Sequence, residues 1–468
     1  MIPLTLREVA MLTGGSLRPD DPGAGELVIH GPVATDSREV GSGSLYVARA
    51  GEHADGHDFV GAARDAGAVA ALTSRPVGEL PCVVVDDVQT AFGRVARGVL
   101  DRRPDLPVVA ITGSSGKTST KDLLAQVLSA AGETVAPVGS LNGEVGVPLT
   151  VCRVTATTRF LVLEMGARGI GHLTYLTSIA PPDVAVVLNV GSAHVGEFGS
   201  RENIAKAKGE LVEALGPQGV AILNADDPAV AAMADRTTAR VVSVGVSQPA
   251  DLTATDVTLD RAGRPSFTLN AFGQSLSVRL HVSGAHHVGN ALAVVAVAVE
   301  CGLSLEDAAT ALATAGPTSR WRMEVTERQD GVTVVNDAYN ANPDSMRAAL
   351  AALRAIADAA DPPRRTWAVL GEMLELGAES RAEHEAIGRL AVGLGVDRLL
   401  VVGEGARPVA EAATRLDEEA TEWVPDADTA YQLLVDQLCE GDVVLLKSSR
   451  DAGLRWLGDR LVGRQVPS

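Results

Sequence analysis

The sequence predicts an α/β protein built from three consecutive α/β domains, the central one a phosphate-loop parallel sheet and the last one Rossmann-like. Three observations predict it. Apolar runs of strand length alternate with helically spaced segments along most of the chain. Two segments interrupt that alternation, the charged "DRRPDLP" at 101–107 and "GPTS" at 316–319. A glycine loop, "AITGSSGKTST" at 110–120, joins a strand to a helix just after the first break. A length of 468 residues suits three domains of ordinary size. The expected boundaries are 1–103, 104–317 and 318–468.

Each element follows from a short pattern. In the first domain "SLYVAR", "AVAALTS" and "CVVVDD" read as strands, with helices near 57–66 and 88–101. From 107 onward, strands near 107–112, 160–165, 183–190 and 219–223 are apolar on both faces, as in a buried parallel sheet. The polar, alternating stretch at 251–283 reads as antiparallel hairpins, and helices follow at 286–300 and 305–315. Beyond "GPTS", strands are expected near 332–336, 366–371, 398–402 and 442–447.

Composition limits the function. Hydrophobic residues make up 46% of the chain and aromatics only 3%, so the cores are built of Ala, Val and Leu. The net charge of −19 and the lack of a basic stripe argue against nucleic acid as a partner. An acidic protein that binds anionic nucleotides must gather positive charge locally. Cys82, Cys152, Cys301 and Cys439 lie far apart, in or beside apolar runs, without zinc spacing. Free, buried thiols in a reducing compartment are expected. The start "MIPLTLREVAML" lacks the features of a signal peptide. The longest apolar run, "ALAVVAVAV" at 291–299, is too short to span a bilayer. The expectation is a soluble, cytoplasmic chain without membrane insertion.

The glycine loop carries the first chemical signal. Gly116, Lys117 and Thr118 form the ending of a phosphate loop, but the full pattern needs Gly where Ile111 stands. The physics of the loop survives. Gly113 to Gly116 direct backbone N–H groups and a helix N-terminus at one point, and Lys117 adds a full positive charge. Leu123, Leu124, Val127 and Leu128 give the following segment its helical spacing. A plain turn and helix cap would explain the glycines alone, but not the strand, loop, Lys-Thr and helix together.

Further candidates sit at predicted strand ends, where an open α/β sheet borders its ligand crevice. Glu164 ends one strand, and with Thr118 it could hold Mg²⁺, which prefers oxygen ligands. His194 follows the next strand in the same topological position. Lys206 and Lys208 are two apart on one helix, so they cannot share a face, and spacing leaves open which one faces solvent. Asn290, early in the apolar helix after "SGAHH", either reads an adenine edge or caps the helix. In "VTVVNDAYNANPDSMRAAL", Asp337, Tyr339, Asn340 and Asn342 offer more hydrogen-bonding groups than a turn requires. Lys447, at the last strand end, is a candidate for a substrate carboxylate or phosphate.

The segments "TGSSGKTST", "LNGEVGVPLT", "LEMGARGIG", "NVGSAHVGEFGS", "AKAKGEL", "NADDP", "NDAYNANPDSM", "VLGEMLELG" and "LLKSSR" together resemble the Mur ligase family in order and spacing. The resemblance covers nearly the whole chain. "NDAYNANPDSM" and "VLGEMLELG" point to the member of the family that joins D-Ala-D-Ala to UDP-N-acetylmuramoyl tripeptide. The resemblance implies ATP on the central domain, held by Gly113, Ser114, Ser115, Gly116, Lys117, Thr118 and Ser119, with adenine near Asn290. It implies two Mg²⁺ ions at Thr118, Glu164, His194 and a carbamylated Lys208, and catalytic roles for Lys117, His194 and Lys208. Arg322 and Asp337 would reach the nucleotide from the last domain by its closure. "TDSREV", with Ser37 and Arg38, and "ADGHDF" resemble uridine-nucleotide segments. Asn142, Tyr339, Asn340, Asn342 and Lys447 would meet the substrates. His287 departs from the family's "GxHN", which puts the base contacts in question. A monomer is expected. The competing readings are another Mur-type or folate-type amide ligase, and a phosphate-loop ATPase switch that hydrolyses ATP without forming an amide.

Overall fold

The computed structural model describes residues 1–20, 22–51, 54–191 and 195–465. Its centre is a nine-stranded sheet whose inner strands have no polar alternation. Val108–Thr112, Phe160–Glu164 and Val184–Val187 are buried along their whole length, because helices cover both faces. Val108–Thr112 pairs in parallel with Phe160–Glu164 on one side and with Val184–Val187 on the other. Successive connections therefore leave its C-terminal end in opposite directions, and this topological switch point opens a crevice. The helix Lys117–Ser129 starts in that crevice from Gly116, whose φ of 81° suits glycine.

Strand alternation gives the sheet two cores. Val109, Ile111, Val162 and Val186 pack with the apolar helix His287–Glu300 and with Leu123, Leu124, Val127 and Leu128. Ala110, Leu161, Leu163 and Ala185 face the other way. Their core contains Leu173, Leu211 and much of the first domain, in one cluster extending from Leu4 to Ala239. Phe92, on the helix Val88–Leu100, is fully buried within this cluster. Phe92→Ala is expected to cost about 3–5 kcal/mol. Urea titration should show the earlier midpoint in tryptophan-independent circular dichroism, and an unshifted midpoint would contradict a shared core.

Besides a two-stranded antiparallel sheet, Leu4–Thr5 with Val28–Ile29, the described residues form two further sheets that are also mostly parallel. The first has strand order Ser16–Arg18, Cys82–Val84, Ala68–Thr73, Ser44–Val47, Val33–Ala34. The last runs Glu324–Glu327, Thr333–Asn336, Val443–Lys447, Thr366–Leu370, Arg398–Val402, Thr421–Val424. The expected hairpins form as Leu252–Leu259, Pro265–Ala271 and Gln274–Arg279, antiparallel at the edge of the central sheet. Sequence periodicity missed Arg240–Gly245 and the short or polar edge strands Thr134–Val135, Glu324–Glu327 and Thr421–Val424. The helix expected near 57–66 begins as a 3₁₀ turn, Gly56–Phe59. All four cysteines are free, but Cys301 is half-buried and Cys439 exposed, which corrects the expectation that they are all buried. No helix among the described residues is long and apolar enough to cross a membrane.

The segment 316–319 is held by the phosphate-loop helix. Gln126 Nε2 donates to Gly316 O at 2.8 Å, and Gly316 N donates back to Gln126 Oε1 at 3.1 Å. Ser319 N donates to Asp122 Oδ2 at 3.1 Å. The last domain is thus tied to the same helix that begins at Lys117.

Candidate active site

The strand ends of the central and last sheets face one cavity of about 980 Å³. The phosphate loop forms its floor. Lys117 Nζ donates to Gly113 O at 2.7 Å, so the ammonium lies across its own loop. Burial lowers the Lys117 pKa and the Arg322 charge adds to this, while Glu164 opposes it. A second cavity of about 360 Å³ lies behind this helix, beside Lys121 and Thr318. It contains no candidate residue.

Glu164 is the electrostatic problem of the site. It is 1% exposed, and among the described residues no Lys, Arg or His nitrogen lies within 4.0 Å of it. Thr118 Oγ1 donates to Glu164 Oε2 at 2.8 Å and lies 2.7 Å from Ser140 Oγ. Asn142, expected at the substrate, donates Nδ2–H to Glu164 Oε1 at 2.7 Å. A buried carboxylate without a cation is costly. Clustered with hydroxyl oxygens beside a phosphate loop, it fits Mg²⁺. His194, the third expected ligand, lies outside the described residues.

The structure separates the two lysines. Lys206 is exposed, whereas Lys208 is 4% exposed, lines the cavity and has no hydrogen-bond or ion-pair partner among the described residues. Burial, and then the charge of Lys117, push its pKa well below the usual lysine value. Asn290 is buried against Gly116, with Nδ2 3.4 Å from His287 Nδ1. His287 is thus engaged with Asn290, and burial lowers its pKa.

From the last sheet, Arg322 reaches the central one. Its Nη2 donates to Ser140 Oγ at 2.8 Å, and its guanidinium lies 4.2 Å from the Tyr339 ring centroid. Asp337 is occupied locally. It accepts from Met323 N at 3.0 Å and from Lys447 Nζ at 2.6 Å. Lys447 Nζ also donates to Asp337 O at 3.3 Å and to Asn340 O at 3.2 Å, so its three N–H groups all have acceptors. Asn342 caps the helix Pro343–Asp358 and donates Nδ2–H to Ser114 O at 3.4 Å. Ser37 and Arg38 are not brought to this cavity, and Arg38 pairs with Asp36 at 2.5 Å on the first domain. Sequence reasoning missed Ser140, Arg168, His172, Arg450 and Arg455, which also line the cavity. Arg168, Arg322, Arg450 and Arg455 have no carboxylate within 4.0 Å among the described residues. These four guanidinium groups, without a carboxylate partner among the described residues, give local positive charge to a cavity that Glu164, Glu197, Asp337, Asp344, Glu375 and Asp451 also line, in a chain of net charge −19.

Family models match three stretches of the chain. They are "Mur ligase family, catalytic domain" at 29–95, "Mur ligase middle domain" at 111–298 and "Mur ligase, glutamate ligase domain" at 321–450. The chain belongs to the Mur ligase family. It is 49% identical to the UDP-N-acetylmuramoyl-tripeptide–D-alanyl-D-alanine ligase of Mycobacterium tuberculosis H37Rv, across 99% of this chain and 98% of the relative. It is 36% identical to the enzyme of that name from Escherichia coli K12, across 88% and 89% of the two chains. A crystal structure of MurF from Acinetobacter baumannii superposes with a TM-score of 0.88 at 32% identity, covering 99% of each chain. MurF of Thermotoga maritima, solved in complex with ADP, gives 0.80 at 29% identity over 92% and 96% of the two chains.

Proposed function

We propose that this chain joins D-Ala-D-Ala to UDP-N-acetylmuramoyl tripeptide at the expense of ATP, giving ADP, phosphate and the UDP-muramoyl pentapeptide of peptidoglycan synthesis. The observation that carries this reading is the phosphate loop at the switch point, facing arginines of the last domain that lack a carboxylate partner among the described residues, in a chain so similar to ligases of that name. We assign residues 1–103 to the uridine nucleotide, with Ser37 and Arg38. Residues 104–317 take ATP, with Asn290 beside the base, and 318–468 take the dipeptide, near Tyr339, Asn340, Asn342 and Lys447. Free thiols fit a cytoplasmic setting.

The groups whose positions are described have roles that those positions support. Backbone N–H groups of the loop and the helix N-terminus bind phosphate oxygens, and Lys117 turns from Gly113 O to the γ-phosphate. Thr118 and Glu164, with His194 and a carbamylated Lys208, would hold two Mg²⁺ ions, which offset phosphate charge near the tripeptide carboxylate. Arg322 reaches the nucleotide from the last domain, and Lys447 holds Asp337 beside it. The carboxylate oxygen bonds to the γ-phosphorus as the bond to ADP breaks, leaving an acyl phosphate. The dipeptide amine, deprotonated from a pKa of about 8, attacks the acyl carbon and phosphate departs.

Isotope transfer tests this route. With ¹⁸O in the reacting tripeptide carboxylate, one labelled oxygen should appear in the released phosphate, read by mass spectrometry. A water-driven ATPase draws that oxygen from solvent. Amide product accompanied by unlabelled phosphate would exclude the acyl phosphate.

A further inference from the structure

The loop 141–145 is fastened to the Glu164 carboxylate at one end and to the first domain at the other. Asn142 Nδ2 donates to Glu164 Oε1, and Asn142 O accepts from Gly166 N at 2.8 Å, just past Glu164. The orientation of one Glu164 oxygen therefore depends on where this loop sits. Two residues later, Gln89, in the first turn of the helix Val88–Leu100, donates Nε2–H to Glu144 O at 2.6 Å from the first domain. His172 Nε2 lies 3.1 Å from Glu144 Oε1 but makes no hydrogen bond among the described residues.

The tautomer of His172 follows from its other nitrogen. Arg168 N–H donates to His172 Nδ1 at 3.1 Å, so Nδ1 is an acceptor and a neutral ring carries its proton on Nε2, which makes no hydrogen bond among the described residues. His172 opens the helix His172–Ile179, whose N-terminus is itself fixed. Buried Glu210 accepts from Gly171 N at 2.6 Å and from Thr174 N at 3.0 Å. Glu210 stands on the helix that carries Lys208.

We propose that Gln89 is a positioning residue for the Glu164 carboxylate, fixing the loop 141–145 through the Glu144 carbonyl so that Asn142 holds one carboxylate oxygen and leaves the other to Thr118 and the metal. Gln89 does not touch the reacting atoms. This rests on the reading of Glu164 as a metal-holding group. Its consequence is that the first domain, through Gln89, helps set the metal affinity of the central one. Groups that orient a ligating carboxylate in this way typically carry about 10–100-fold in metal affinity or activity.

The test reads metal binding without turnover, by electron paramagnetic resonance of Mn²⁺ titrated into the full chain with ADP. Gln89→Ala should weaken Mn²⁺ binding about tenfold, and Gln89→Met, which fills the same space without an N–H, should weaken it as much. Asn142→Ala should do the same, and Gln89→Ala added to Asn142→Ala should cost nothing more, since both act through one chain of contacts. Parent-like Mn²⁺ binding in Gln89→Ala, or losses that multiply in the double variant, would overturn the proposal. If Gln89→Ala fails to fold, Gln89→Met and its double variant with Asn142→Ala are judged by the same two criteria. Glu164→Gln serves as the separate control: if it binds Mn²⁺ like the parent, the metal reading itself falls.

Discussion

Replacing Lys117 by alanine should lower turnover by about 10²–10³-fold while the protein stays folded. The lysine stands at the first position of the helix Lys117–Ser129, at the point where the loop's N–H groups converge. Its ammonium now rests on Gly113 O, 2.7 Å away, a neutral acceptor that an anionic phosphate readily displaces. In the reaction a carboxylate must approach a triphosphate, and the charges brought together are all of one sign. A fixed cation at that spot stabilises the transition state more than the separated reactants. The effect should therefore appear in kcat under saturating substrates, with the circular dichroism spectrum unchanged. Activity within about tenfold of the parent would remove Lys117 from the chemistry.

The second large effect concerns Lys208. A buried amine with no partner among the described residues, near the Lys117 charge, has its pKa pushed well below the usual lysine value, which favours the neutral form. A neutral amine can add CO₂: a nitrogen–carbon bond forms, a proton leaves, and the product is an anion. That anion suits a cavity lined by Lys117 and by four arginines without a carboxylate within 4.0 Å among the described residues. With ¹³C-bicarbonate, the parent should show a carbamate signal by NMR that Lys208→Ala lacks. Lys208→Ala should also lose activity on the order of 10²-fold, which added bicarbonate does not restore. Lys206 is exposed, and its contribution to the fold is a backbone carbonyl that accepts from Arg236 at 2.8 Å. Lys206→Ala should therefore keep both the signal and the rate. Equal, small effects of the two substitutions would show that the carbamate reading is wrong.

Local pattern made much of this legible. The strand and helix around the phosphate loop, Glu164 at the next strand end and the amide-rich loop after Asn336 all follow from apolar runs and their polar ends. In the structure Glu164 accepts from Thr118, and Arg322 donates to Ser140 of the central domain. Spacing alone left Lys206 and Lys208 unresolved, because either could have faced inward. The choice depends on which face of that helix meets the sheet. Arg168, His172, Arg450 and Arg455 escaped notice for a related reason. Each is an ordinary polar residue in its own segment, and it gains significance only when tertiary contacts leave it without an acidic partner or beside Glu144. Asn342 shows the reverse, since a residue singled out for the ligand also serves as a helix cap.

The cluster that runs from Leu4 to Ala239 has a practical meaning for how the polypeptide can be divided or recombined. A cut at 101–107 would strip apolar surface from both products, so neither would be expected to persist alone. A uridine-binding module from another protein could not be grafted there without rebuilding the seam around Phe92, Val95 and Ile179. A break at 316–319 leaves the clusters around Val335 and Leu445, and around Trp367 and Leu457, intact on the C-terminal fragment. Split-protein complementation is therefore feasible at that joint alone of the two, with Asp122 and Gln126 serving as the recognition points for the returning fragment.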